Sequence, residues 1–114
     1  MKLTRRQAIA SGAAALASAS LAQPRSLAPD SLDALAGRTN RRFGSAVAWS
    51  RPGADSGSFG NPAYARLLER DCGLLVPENQ LKWQWVRRSP ATFNFQAFDA
   101  IADYAAAHGF RLRG

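Results

Sequence analysis

The chain has 114 residues, with 15 lysines and arginines against 8 aspartates and glutamates, and a formal net charge of +7 at pH 7. Its one cysteine, Cys72, excludes an internal disulfide, and its one histidine, His108, excludes a multi-histidine metal site within the chain. The arginines are scattered and are not interleaved with aromatic residues on one loop or face. The basic composition therefore does not indicate nucleic-acid binding.

Residues 1–22 have the pattern of an export signal. Lys2, Arg5 and Arg6 precede a weakly apolar stretch rich in alanine and serine, and residues 20–22 form a small-x-small cleavage site. The arginine pair resembles a twin-arginine signal. A membrane-spanning helix is the alternative, but the stretch is too short and too rich in alanine and serine to cross a bilayer. We therefore expect a periplasmic or secreted protein with no membrane attachment after cleavage.

Residues 23–37 are predicted to form a linker that ends in a short helical turn. The first part is rich in proline, serine and alanine and shows no periodicity. Leu32, Leu35 and Ala36 then recur at helical spacing before Gly37. A folded domain is predicted to follow over residues 38–114.

The first strand and first long helix of this domain follow in order. Residues 43–48 are apolar and small, which suits a strand in a crowded barrel interior, and a glycine-rich loop comes next. Asn61 is a suitable N-cap, and Pro62 suits the first helical position. Gly73 is predicted to end this helix in a left-handed conformation. We expect Cys72 to be a buried apolar residue rather than a reactive thiol. The predicted apolar stripe of the helix comprises Tyr64, Leu67, Leu68 and Cys72.

A second strand, a second long helix and a third strand complete the pattern. Residues 74–76 are a continuous apolar run, as in a strand covered on both faces, and the proline that follows is predicted to end it. Residues 96–108 are predicted to be helical, with His108 at the helix end and Gly109 as the cap. Residues 110–113 begin the third strand. The predicted buried stripe of this helix comprises Phe98, Ile101, Ala102 and Ala105.

The predicted order is therefore β-α-β-α-β. Alternating apolar strands and helices imply parallel pairing with right-handed crossovers, in a (β/α)8 TIM barrel or a doubly wound sheet. No Gly-x-Gly-x-x-Gly follows Val47, which disfavours the dinucleotide-binding version. A barrel needs ~250 residues. We therefore expect only the first β-α-β-α-β portion of a barrel, as a fragment of a longer protein.

Glu78, Asn79 and Lys82 follow the second predicted strand, at the end where a barrel carries its functional residues. Sugar hydroxyls both donate and accept hydrogen bonds, so a carboxylate, an amide and an ammonium suit a carbohydrate. A hydrogen bond to a charged group contributes roughly 1.5–3 kcal/mol, so three such residues could bind one sugar unit. The alternative is an exposed ion pair between Glu78 and Lys82, which lie four residues apart. The residue types alone leave both interpretations open.

The run from Val76 to Trp83 resembles the Thr-Pro-Glu-Asn-x-Met-Lys-Trp signature of glycoside hydrolase family 10, the endo-1,4-β-xylanases. Leu81 stands where that family usually has methionine, and Gln80 stands where glutamate is common. The resemblance continues in the right order over nearly all of residues 38–114. Its further matches are residues 43–47, 64–73, 93–99 and 112–114.

This resemblance implies a cofactor-free, monomeric (β/α)8 enzyme that hydrolyses internal bonds of xylan with retention. It implies that Glu78, Asn79 and Lys82 bind the xylosyl unit two places to the non-reducing side of the cleaved bond. The two catalytic glutamates of the family lie at the ends of the fourth and seventh strands, so none is expected in this chain. Glu69 lies in the first long helix and cannot serve.

Two tryptophans near this run, Trp83 and Trp85, are predicted to pack within the structure rather than to stack on sugars. Two other functions stay open at this point. The full-length protein could be another barrel β-glycanase, or it could be a non-catalytic carbohydrate-binding protein of the cell envelope.

Overall fold

The computed structural model describes residues 25–50 and 58–114, and the predicted export signal lies outside them. Three parallel strands form one sheet in the order β1-β2-β3, with helices in the connections. No helix in the described ranges is long and apolar enough to cross a membrane. In chain order the elements are α1 (Leu32–Gly37), β1 (Gly44–Val47), α2 (Pro62–Asp71), β2 (Leu74–Pro77), α3 (Trp83–Val86), α4 (Gln96–Ala107) and β3 (Arg111–Leu112).

Side-chain caps set the start of two helices. The Asn61 side chain accepts hydrogen bonds from the backbone N–H groups of Ala63 and Tyr64, directly ahead of the proline that opens α2. The Ser31 hydroxyl accepts a hydrogen bond from the N–H of Ala34 in the same way and starts α1. Both helix starts are where the sequence predicts them.

The sheet has the predicted parallel topology. Gly44 pairs with Leu74 at the start of β1 and β2, and Val47 pairs with Pro77 at their end. Strand β3 joins the other edge of β2. Helices α2 and α4 pack on this sheet and close a small apolar core. The buried members of this core are Val47, Leu68, Cys72, Leu75, Ile101, Ala105 and Phe110.

The predicted apolar stripes are only partly buried. In α2, Leu68 lies in the core, but Leu67 is 52% exposed. In α4, Ile101 and Ala105 are buried, whereas Phe98 is only half-buried.

The connection after β2 also contains a short helix, α3, that the sequence did not predict. It has four residues and no side-chain N-cap bond, so it lacks the signals by which a helix is found.

Gly73 does not have the left-handed conformation predicted for it, since among the described glycines only Gly109 has a positive φ, of 69°. Gly73 is needed instead because the Asp33 carboxylate lies against it. A Cβ atom at Gly73 would lie 2.0 Å from Asp33 Oδ2. This carboxylate has 3% exposure, accepts the N–H of Phe43 at 2.8 Å and pairs with Arg42 at 3.1 Å. It therefore joins α1 to the starts of β1 and β2.

Strand β2 ends at Pro77, as predicted, with the proline itself as the last paired residue. The hydrogen bond at this pair is donated by the next residue, because Glu78 N–H donates to the Val47 carbonyl at 2.9 Å. The ladder to β1 therefore makes no use of an N–H at position 77. Proline is accommodated without the loss of a hydrogen bond.

We expect the Gly73→Ala variant to unfold at lower urea concentration, with a loss of about 1–3 kcal/mol, because the new methyl group must displace the buried Asp33 carboxylate. Gly37→Ala is the matched control, since a Cβ there meets nothing within 4 Å. That control should leave the stability unchanged or raise it by up to about 1 kcal/mol. Equal unfolding midpoints for the two variants, followed by circular dichroism, would show that Asp33 does not restrict position 73.

Candidate functional site

The candidate site lies at the carboxyl edge of the sheet, where β1 and β2 end together. The bond from Glu78 N–H to the Val47 carbonyl carries the pairing one residue beyond β2. The residues after β1, including Trp49, are thereby brought beside Glu78 and Asn79. This is the edge at which parallel barrels carry their functional groups.

Glu78, Asn79 and Lys82 lie in one bend and turn between β2 and α3. The N–H of Lys82 donates to the Asn79 carbonyl at 2.9 Å and closes the turn. The Lys82 ammonium also donates to Asn79 Oδ1 at 2.7 Å. Glu78 and Lys82 are exposed, and Asn79 is half-buried. The structure thus brings the three predicted residues together, while their role in binding stays a prediction.

The alternative ion pair between Glu78 and Lys82 is not among the ion pairs of the described residues. Lys82 is bonded to Asn79 instead. The physical reason is local geometry. Residues four apart face each other on a helix, but residues 78–82 form a turn, and α3 begins only at Trp83.

A cleft of about 470 Å³ adjoins this turn, and we call it the Trp49–Trp85 cleft. It brings together residues from the end of β1, from the turn after β2, from α3 and from the start of α4. Its size is typical of sites for small molecules. Of the predicted site residues, Asn79 lines the cleft, whereas Glu78 and Lys82 are not among its lining residues. The lining comprises Ala48, Trp49, Asn79, Gln80, Trp85, Arg88, Asn94, Gln96 and Ala97.

Sequence reasoning missed the contribution of Trp49, Trp85 and Arg88 to the cleft. A signal existed for Trp49, because it follows the first predicted strand just as Glu78 follows the second. Arg88 lies with its guanidinium carbon 5.2 Å from the centre of the Trp85 ring, a cation–π contact. No pattern in the sequence predicts that contact.

The two tryptophans differ in their surroundings, and the packing role predicted for them stays a prediction. Trp83 is 65% exposed and makes an edge-to-face contact with Phe93 at 6.3 Å. Trp85 is 48% exposed and lines the cleft. Arg87 lies over both Trp83 and Phe93, at 5.2 Å from each ring centre. Adjacent arginines therefore lie over different aromatic groups.

Three amide side chains of the cleft have their oxygen atoms engaged by donors. Asn79 Oδ1 accepts from the Lys82 ammonium. Gln80 Oε1 accepts from the N–H of Asn79 at 3.1 Å. Asn94 Oδ1 accepts from the N–H of Gln96 at 2.9 Å. An ammonium and a backbone N–H can only donate, so these contacts fix which end of each amide is oxygen.

At the other edge of the sheet, where the strands begin, titratable side chains contact one another within the fold. His108 lies at the end of α4, as predicted, where it is the C-cap residue, and its Nδ1 lies 3.4 Å from Glu69 Oε1. The Tyr104 hydroxyl donates to the same oxygen at 2.9 Å. Burial and this hydrogen bond to Glu69 raise the pKa of Tyr104. Within residues 25–50 and 58–114, no three His, Cys, Asp or Glu side chains are grouped as a metal site requires.

The chain matches the model of glycosyl hydrolase family 10 over residues 31–114. It is 35% identical over 86 residues to an endo-1,4-β-xylanase from Naganishia albida, a match that covers 75% of this chain and 24% of the relative. It is 37% identical over 51 residues to a β-1,4-xylanase from Dictyoglomus thermophilum, covering 45% of this chain and 14% of the relative. The chain thus spans about a quarter or less of each of these relatives.

Among solved structures, the chain is similar to xylanase 10B from Thermotoga petrophila RKU-1, which was crystallised in complex with xylobiose. The TM-score is 0.64 at 22% sequence identity, and the match covers 78% of this chain and 26% of that chain. At this identity the likeness shows the fold. The three parallel strands and their helices are thus part of a (β/α)8 barrel, which confirms the predicted fold class.

Cys72 has no part in the site and should be chemically inert. It is 4% exposed at the C-terminal end of α2, and burial, followed by the charge of Asp71, raises its thiol pKa. At pH 8 we expect it to react with a disulfide reagent on the order of 100-fold more slowly in the native protein than in denaturant, because the thiol must first be exposed by local opening. Similar rates in both states, followed by absorbance, would contradict this burial.

Proposed function

Because this chain belongs to glycosyl hydrolase family 10, we propose that the protein of which it is a part is an endo-1,4-β-xylanase. It would hydrolyse internal β-1,4-xylosidic bonds of xylan with retention of configuration. The observation that carries this proposal is the 35% identity to an endo-1,4-β-xylanase over 75% of the chain. The fold of the barrel portion, which is similar to that of a xylanase, agrees with this proposal.

In this proposal, Glu78, Asn79 and Lys82 bind one xylosyl unit on the non-reducing side of the cleaved bond. Their place after β2 supports this role, since barrel sites are built from strand ends. The Glu78 carboxylate is exposed and can accept from sugar hydroxyls. The contact with Asn79 holds the Lys82 ammonium in place and leaves other N–H groups of that ammonium for a sugar oxygen.

Retaining hydrolysis requires two carboxyl groups about 5–5.5 Å apart. One donates a proton to the leaving oxygen, while the other attacks the sugar carbon and forms a glycosyl–enzyme intermediate that water then hydrolyses. The sequence has two glutamates, Glu69 and Glu78. Glu69 accepts the Tyr104 hydroxyl at the far edge of the sheet, which does not suit it to either role. The family resemblance implies that the catalytic pair lies at the ends of the fourth and seventh strands, so in this proposal the pair belongs to the remainder of the barrel.

We also propose that the protein is exported by the twin-arginine route and that residues 1–22 are removed. The support for this is the basic segment with Arg5 and Arg6, followed by an alanine- and serine-rich stretch and a small-x-small site. This segment lies outside the described residues. An exported enzyme is suited to a polymeric substrate that cannot enter the cell.

We expect Glu78→Gln to lower kcat/KM on unsubstituted xylo-oligosaccharides by about tenfold or more, because a charged acceptor of sugar hydroxyls is lost while the side-chain volume is kept. Glu69→Gln in the same protein is the control and should stay within about twofold, since that side chain bonds Tyr104 at the opposite edge. Release of reducing sugar gives both rates. If Glu78→Gln hydrolysed these substrates as fast as the parent protein, Glu78 would have no part in binding.

The export proposal predicts that replacing Arg5 and Arg6 together by lysine leaves uncleaved precursor inside the cell, because the arginine pair is what the twin-arginine route recognises. Arg25→Lys, a similar change after the proposed cleavage site, is expected to leave export unaltered. Fractionation and mass measurement of the protein give the answer. Normal export of the double variant would exclude the twin-arginine route, and retention of residues 1–22 in the exported protein would exclude cleavage.

A further inference from the structure

We propose that the Trp49–Trp85 cleft binds a uronic acid side chain carried by the xylan main chain, with Arg88 as the residue that recognises its carboxylate. This inference rests on the proposed function, because the uronic acid is taken to be a substituent of the xylan bound at Glu78, Asn79 and Lys82. It assigns a separate ligand class, an anionic sugar, to a cleft beside that site.

The polar groups of the cleft consist mainly of donors. The oxygen atoms of Asn79, Gln80 and Asn94 each already accept one hydrogen bond, which leaves mainly their amide N–H groups for a ligand. The amide of Gln96, the fourth in the lining, can both donate and accept. The Arg88 guanidinium adds further donors and can accept nothing. A neutral sugar presents hydroxyls that need acceptors as well as donors. A carboxylate is an acceptor only, so it matches this set better.

The charge of the cleft favours the same ligand. No aspartate or glutamate is among the residues that line it, and Arg88 is its one charged lining residue. Among the described residues Arg88 is in no ion pair, whereas Arg42 and Arg70 each have an aspartate partner. Glu78 and Lys82, in the same turn as the lining residue Asn79, carry opposite charges and together add no net charge there. The positive charge of the Arg88 guanidinium is therefore available to pair with an anionic ligand.

The aromatic members of the cleft suit the rest of a sugar ring. Trp49 and Trp85 are 39% and 48% exposed, so ring surface is available to the C–H groups of a sugar. The contact between the Arg88 guanidinium and the Trp85 ring also restricts the guanidinium and reduces the entropy lost when it binds a carboxylate. The volume of about 470 Å³ falls within the range of small-molecule sites.

The position of Asn79 connects the cleft to the proposed xylose site. Its Oδ1 holds the Lys82 ammonium, and the same side chain lines the cleft. A xylosyl unit bound by Glu78 and Lys82 would therefore lie next to the cleft. A substituent on that unit, or on its neighbour in the main chain, would have only a short distance to reach Arg88.

The test compares kcat/KM of the full-length protein for a glucuronic acid-substituted xylo-oligosaccharide and for an unsubstituted one of equal main-chain length. The ratio of the two values is measured for the parent protein, for Arg88→Gln and for Arg87→Gln. Arg87 is the matched control because it is a neighbouring arginine that lies over Trp83 and Phe93 and does not line the cleft. Binding of free glucuronate is measured by calorimetry. This shows whether the cleft binds the acid by itself or only as a substituent of the xylan main chain.

We expect the parent protein to prefer the substituted oligosaccharide, and Arg88→Gln to lower this ratio by about tenfold, as for loss of a charge-assisted hydrogen bond. Arg87→Gln should keep the parent ratio, and free glucuronate should bind far more weakly than the substituted oligosaccharide. The proposal is overturned if the parent shows no preference, if both variants change the ratio equally, or if free glucuronate binds as tightly. Hydrolysis of neither oligosaccharide would instead reject the proposed xylanase function.

Discussion

The pairing of β1 with β2 is the constraint on which the candidate site depends. Val47 pairs with Pro77, and the N–H of Glu78 completes that pair by donating to the Val47 carbonyl. A slip by one residue would move each side chain of β2 to the other face of the sheet. It would bury Val76 in place of Leu75 and would separate the turn after β2 from Trp49. The xylose-binding turn and the Trp49–Trp85 cleft exist together only in the observed register.

That register is fixed from the other end by a buried charge. The Asp33 carboxylate accepts the N–H of Phe43 and lies against Gly73, while the N–H of Gly73 donates to the Phe43 carbonyl at 3.0 Å. The residues that precede β1 and β2 are thereby held side by side before either strand begins. Arg42 compensates the charge of the carboxylate at this position. Helix α1, which the sequence predicted only as the end of a linker, therefore helps to align the strands of the sheet.

Local signals predicted most of the fold, because they act over one helix turn or one strand. The Asn61 cap, the apolar run of β2 and the positive φ of Gly109 follow from neighbouring residues alone. The role of Gly73 was predicted wrongly, since its requirement comes from Asp33, forty residues earlier. The three predicted site residues do lie in one turn, but the bond between Lys82 and Asn79 depends on backbone geometry that spacing does not give. The cleft combines four separate segments, so its composition could not be predicted.

Polar side chains at the two edges of the sheet differ in where their hydrogen-bonding partners lie. At the amino edge, Asp33 and Glu69 have partners within the fold, so their hydrogen-bonding capacity is used internally. At the carboxyl edge, internal bonds use the oxygen ends of the amides and leave N–H groups and the Arg88 guanidinium available. Buried polar groups must be satisfied within the protein, whereas groups at an open cleft can be satisfied by a ligand. The excess of donors at this edge therefore favours a ligand rich in acceptors.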